Sequence, residues 1–298
     1  MALFDNASTH GLKLVVFLPA AAVLMLSACS MGKMVVRGSQ TIMDSGIVSM
    51  NRETDLQLAK DAMPANLKLL EGMLIEDPNN TTLLLFAAEG FYGYSYGFLD
   101  YENPERARNL YRRCYGQAKK ALELGGLDLD PATVNPNDLQ DAIAGLGHAS
   151  VPAMFWTANC LGKWIDLSRD DPADIADLAN VAVLMQRVLE LDDDYYYGGV
   201  HMFFGAYYGG RAPIFGGNFK LAREHFERAR EINSGRLLLV DVLQAEYLDR
   251  QQLNRDDFHE RLTFVIDEPD DLYPEMALLN AIARKRARHL LARESEWF

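Results

Sequence analysis

Cys29 carries the most definite chemistry in this 298-residue chain. It follows Leu26-Ser27-Ala28 at the end of an apolar run from Leu14 to Leu26. A thiolate is a nucleophile that can take an acyl or alkyl lipid. Small residues at the two preceding positions suit a peptidase with narrow subsites, so this spacing predicts cleavage before Cys29 and lipidation of its sulfur. A second kind of chemistry is suggested by two stretches rich in aromatics and glycine, residues 91–101 (FYGYSYGFLDY) and 195–210 (YYYGGVHMFFGAYYGG). On helices, Tyr92 and Tyr96 share a face, and so do Phe203 and Tyr207. Arg211 follows the second stretch inside the loop Gly209–Gly217, where a guanidinium could meet a carboxylate in bidentate fashion. These residues predict a single cavity bordered by Tyr92, Tyr96, Phe203, Tyr207 and Arg211. The competing reading is that the glycines only permit close helix packing and that Arg211 stands in solvent.

The segment before Cys29 reads as a targeting signal. Its apolar run is too short to span a bilayer, and Pro19 interrupts it. The whole pattern resembles the lipobox of bacterial lipoproteins. It divides the chain into a signal peptide over 1–28, a lipidated tether over 29–52 and a folded domain over 53–298. The expected location is the cell envelope, facing the periplasm. Ser30 stands where aspartate would favour inner-membrane retention, so the outer membrane is favoured. Cys114 and Cys160 remain in the body. Export permits a disulfide, but their helical, apolar neighbours favour two free buried thiols.

Charge excludes further classes. There are 29 basic and 42 acidic side chains, a formal net charge of −13, which repels phosphate backbones and argues against a nucleic-acid partner. The dense basic run Arg284, Lys285, Arg286 and Arg288 reads as a solvated helix face complementing the negative end of the helix dipole. His148, His201, His225, His259 and His289 are scattered without metal-ligand spacing, so no metal is expected. No nucleophile-elbow, Cys-His or phosphate-loop pattern is present, and neither an enzyme nor a cofactor is expected.

The elements that would position these residues are helical almost throughout. Apolar residues from Leu56 to Leu74 recur at three- and four-residue steps, with Pro64 dividing the stretch or starting a new helix. Helix ends such as EDPNN and INSG punctuate the chain at irregular intervals, one of them near twice the 34-residue tetratricopeptide period. Four helix pairs follow: 81–99 with 104–124, 138–168 with 174–191, 195–210 with 218–232, and 236–251 with 255–267. A helix over 273–293 closes the array. The predicted fold is all-α, degenerate tetratricopeptide-like helix-turn-helix repeats stacked into a compact superhelix.

The segments YYGGRAPIFGGNFKLAREHFERAREINSGRLLLVDVLQAEYL and DDFHERLTFVIDEPDDLYPEMALLNAIARKRARHLLAR, with LLEGMLIEDPNNTTLLLFAAEGFYGYSYGFLD earlier and the lipobox ahead of it, resemble the TRAP-transporter-associated tetratricopeptide lipoproteins, the T component. The likeness covers nearly the whole mature chain. It implies a lipid-anchored accessory protein that binds the periplasmic solute-binding protein of a TRAP-type uptake system. It also implies a homotrimer with a ligand-passing cavity in each subunit, taking a small hydrophobic organic acid. The alternative is a tetratricopeptide scaffold for envelope assembly that holds no small ligand.

Overall fold

The computed structural model describes residues 31–168 and 178–298, and among these every regular element is helical. Residues 31–38 are helical and lead into α1 (Gln40–Asn51). There follow α2 (Leu56–Glu76), α3 (Thr81–Tyr94), which runs without a break into a π-helical turn over Ser95–Leu99, and α4 (Pro104–Leu124). The middle holds α5 (Pro136–Ile143), α6 (Val151–Asp166) and α7 (Leu178–Leu191). The C-terminal part holds α8 (Tyr195–Gly209), α9 (Phe219–Asn233), α10 (Leu239–Gln244) with a second π-helical turn over Ala245–Asp249, α11 (Arg255–Asp267) and α12 (Ala277–Leu291).

Helix starts are set by local side chains. Asp55, Asn80, Asn103, Asn135, Asn218 and Asn254 each accept a hydrogen bond from a backbone N–H of the first turn. Each such cap contributes about 1 kcal/mol by occupying a donor that the helix itself leaves unpaired. Pro104 and Pro136 stand just after their caps, where a missing N–H costs nothing.

Two helix boundaries differ from those expected. Pro64 neither divides nor starts a helix: α2 continues through it, losing one internal hydrogen bond in a 21-residue element that can bear it. The segment 138–168 is two helices, because Gly145, Gly147 and Pro152 interrupt it and α6 starts afresh at Val151.

The apolar core is graded along the chain. One large cluster joins α2 to α7 with the start of α8 and part of α12. Two smaller ones form around Phe226 and Phe258, both fully buried. Truncating either ring to alanine would cost about 3–5 kcal/mol. Cys114 on α4 and Cys160 on α6 form a disulfide, with Cα atoms 5.6 Å apart. This corrects the expectation of two free thiols. Both cysteines are indeed buried among apolar neighbours, but α4 packs on α6 so that the two meet.

The basic run on α12 is also corrected. Arg284 and Arg286 are 4% and 2% exposed rather than solvated. Arg284 donates to the carbonyls of Glu268 and Pro269, which follow the end of α11. Arg286 and Lys285 donate to the carbonyls of Tyr96 and Gly97 in the first π-helical turn. These contacts occupy carbonyl groups where regular helix geometry is interrupted.

Candidate functional site

A cavity of about 550 Å³ lies between the N-terminal helices and α12. Its size falls within the range of small-molecule sites. α1 supplies Ile42, Met43, Ile47 and Met50, and α2 supplies Met63, Leu67, Leu70 and Met73. Leu239 and Leu243 of α10, with Leu278, Leu279 and Ile282 of α12, close the opposite side. Methionine fills irregular space with a flexible, polarisable chain, so a wall rich in it adapts to differently shaped apolar occupants. Residues 40–51, which the sequence assigns to the lipidated tether, are thus a structural wall of this cavity.

The third wall is the face of α3 that bears Phe86, Glu89, Gly90, Gly93 and Tyr92, continued by Tyr96 in the π-helical turn. Trp156 of α6 and Tyr196 at the start of α8 complete it. Their rings form a connected set: Tyr92 lies 6.0 Å from Tyr96 and 5.6 Å from Trp156, and Trp156 lies 5.0 Å from Tyr196. Tyr196 is aimed by an uncommon backbone. Tyr196, Tyr197 and Gly198 have φ of 51°, 61° and 81°, a left-handed turn before α8 proper. For non-glycine residues that conformation costs about 1–2 kcal/mol each, and such strain gathers at functional sites.

The glycines of this wall differ in role. A Cβ on Gly90 would come within 2.8 Å of Leu67 Cδ2, and one on Gly97 within 2.7 Å of Ile282 Cδ1, so both permit close helix approach. A Cβ on Gly93 would meet only Met63 Cε at 3.7 Å, an ordinary contact beside the cavity.

Polar groups on the wall are few. Glu89 is the one charged side chain on it among the described residues. Tyr196 Oη donates to Glu89 Oε1 at 2.8 Å, and no basic side chain among the described residues pairs with the carboxyl. Burial pushes the Glu89 carboxyl upward, opposed in part by that hydrogen bond. Tyr96 Oη is buried with no hydrogen-bond partner. Burial raises the phenols of Tyr92, to about 12, and of Tyr96, so both stay neutral donors.

Of the five residues expected around one cavity, Tyr92 and Tyr96 line it, whereas Phe203, Tyr207 and Arg211 do not. Those three form a separate group on the far part of α8 and just beyond its end. Phe203 and Tyr207 are 5.6 Å apart, and the Arg211 guanidinium lies 3.6 Å from the Tyr207 ring centre. From residues 195–210 the cavity receives Tyr196 alone. The glycines of α8 serve packing: Cβ atoms at Gly199 and Gly205 would strike Phe155 and Phe226 at 2.6 and 2.7 Å. Cys29 lies outside the described residues.

A model of the TRAP transporter T-component family matches residues 52–298. The chain belongs to that family. Membership implies an accessory role in TRAP transport, and the family is one of transporter accessories rather than of enzymes. The chain is also 24% identical to an uncharacterized protein of Treponema pallidum (strain Nichols) over 263 residues, covering 83% of this chain and 81% of that one.

Within this T-component fold, Tyr96 separates the cavity from a buried polar network. Arg286 lies 3.9 Å from the Tyr96 ring centre and 4.3 Å from that of Tyr101. It pairs with Asp100 Oδ2 at 3.3 Å and with Glu246 Oε2 at 3.4 Å. Lys163 reaches Asp100 Oδ2 at 2.9 Å, and Tyr111 Oη donates to Asp100 Oδ1 at 2.8 Å. Burial opposes the charge on Lys163, but Asp100 and the surrounding groups outweigh it and hold the ammonium protonated.

Sequence reasoning missed Glu89, Trp156, Tyr196 and the α1 wall. Glu89 had a legible signal: it is the only charged residue from Thr81 to Leu99. An isolated carboxyl in an otherwise uncharged helical run needs a partner or a polar space. Trp156 and Tyr196 had none, since their convergence depends on how α6 and α8 meet α3.

Proposed function

We propose that this chain is a lipid-anchored, periplasm-facing accessory protein that docks on the solute-binding protein of a TRAP-type uptake system and holds a small, largely apolar ligand. The observation that carries the ligand reading is the 550 Å³ cavity walled by methionine, leucine and aromatic side chains. Apolar surface left in contact with water is unfavourable by about 25 cal/mol per Å², so an apolar occupant would be stabilised there. Family membership supports the transport setting. Support for the anchor comes from Leu26–Cys29, with the mature body beginning at Cys29 and the outer membrane as its location. No helix among the described residues is long and apolar enough to cross a membrane. The same reading takes the helix pairs as tetratricopeptide-like repeats in a superhelix and the protein as a homotrimer.

The test is to isolate the protein from envelopes and weigh it intact by native mass spectrometry, beside Gly93→Leu. Position 93 accepts a side chain without meeting backbone, so leucine there fills the cavity while α3 stays helical. The wild type is expected to carry a small organic molecule and to co-isolate with a solute-binding protein, and the variant to lose the molecule. Equal occupancy, or none in either, would overturn the ligand reading and leave a scaffold. Cys29→Ser should move the protein out of the membrane fraction.

A further inference from the structure

Among the described residues, the fully buried carboxyls come with a cation. Asp77, Asp100, Asp241, Glu246, Asp249 and Glu294 each have an Arg or Lys nitrogen within 3.4 Å. Glu89 stands outside this set. It is half-buried against the cavity, takes one hydrogen bond from Tyr196 on Oε1, and has no basic partner among the described residues. Beside it, Tyr92, Trp156 and Tyr196 present linked aromatic rings to the same space. A carboxyl next to several rings is the arrangement that recognises an organic cation, through charge pairing and the negative faces of the π systems. The remaining walls are mostly methionine, leucine and isoleucine, with the uncharged polar side chains Ser39, Asn51 and Asn66 among them, and suit an alkyl chain.

We propose that the cavity takes an amphiphilic amine, its ammonium head at Glu89 among Tyr92, Trp156 and Tyr196 and its apolar tail among the methionines of α1 and α2. The inference rests on the cavity being a ligand site, as proposed above, and sets the charge of that ligand. It opposes the organic acid expected from Arg211, which stands elsewhere on a tyrosine ring. An organic anion would meet an acidic wall with no basic group on it. The titratable groups facing this space are Glu89 and the phenols of Tyr92, Tyr96 and Tyr196, with Tyr195 and Tyr197 close enough to feel the carboxyl's charge. The phenols are held neutral by burial, so Glu89 is the one group on this wall that can carry a charge to pair with an ammonium.

Calorimetric titration of the full chain with octylamine, octanol and octanoate at neutral pH tests this. The three probes share a chain length and differ in head group. Octylamine should bind about tenfold or more tighter than octanol, one charge-assisted contact being worth that much, and octanoate should bind most weakly. Glu89→Gln, which preserves shape and the acceptor for Tyr196, should weaken octylamine by about 30-fold or more and leave octanol unchanged. Octanoate binding as well as octylamine, or octylamine affinity unaffected by Glu89→Gln, would overturn the amine while octanol binding upholds the ligand cavity. Failure of all three probes would overturn both readings.

Discussion

Glu89 and Asp100 lie on one continuous helical run, yet the molecule treats them in opposite ways. Asp100 is enclosed by Lys163, Arg286 and Tyr111, and every oxygen is occupied. Glu89 faces a cavity, accepts one phenol and has no cation among the described residues. Tyr96 stands between the two regions, its ring against Arg286 on one side and the cavity on the other. The contrast separates two uses of buried charge. A fully paired network gives geometric specificity and is costly to break, whereas an under-paired group leaves an interaction for something else to complete.

The largest expected effect breaks the paired side. Arg286→Met should destabilise the fold by about 3–5 kcal/mol in urea unfolding, because Asp100 and Glu246 lose a shared cation without regaining water. Cavity occupancy should fall with it, since the π-helical turn that holds Tyr96 loses its anchor on α12. A loss under 1 kcal/mol would mean that Lys163 and Tyr101 satisfy those carboxyls unaided. Next comes the disulfide, which joins α4 and α6 one turn from Tyr111 and Lys163. Its reduction should lower stability by about 2–4 kcal/mol through the 46-residue separation it closes. Melting with and without reductant measures this, and identical melting curves would leave the bond without structural weight.

A smaller effect contrasts two glycines. Gly97→Ala should cost about 1–3 kcal/mol, because the new methyl presses on Ile282 where α12 crosses the π-helical turn. Gly93→Ala should gain up to about 1 kcal/mol, since its methyl enters open space and helix entropy improves. Paired thermal melts decide whether the two positions differ in packing as described.

The smallest effect is a pH slope. Burial raises the folded-state pKa of Glu89 above its unfolded value. Between those two values the folded state binds more protons, so stability falls as pH rises through the window. Below the unfolded pKa the contribution is fully present, and above the folded pKa it is lost. Glu89→Gln removes that slope, so its stability relative to wild type should climb as pH rises from the ordinary glutamate range and then level off. Glu102 and Glu294 carry the opposite sign: hydrogen bonds from Lys60 and Arg255 depress them, and their stabilisation is lost as pH falls. Parallel profiles for Glu89→Gln and wild type would show that Glu89 is solvated like a surface residue.

By itself the sequence determined the helical class, most helix starts and the shared face of Tyr92 and Tyr96. These depend on interactions within about four residues, such as Asn80 accepting from Leu83 or the apolar spacing of α2, and so are written locally. Only the tertiary structure decided which faces look into a void and which are covered. Tyr207 and Arg211 have the same local pattern as Tyr92 and Tyr96 but meet each other instead of the cavity. The basic run of α12 has the spacing of a solvated face, yet Arg286 finds Asp100, 186 residues earlier in the chain. Cys114 and Cys160 had apolar neighbours either way, and their pairing depended on α4 packing against α6. A cavity forms where helices fail to meet, and a buried ion pair where they do. Both are outcomes of long-range packing, which helical periodicity does not encode.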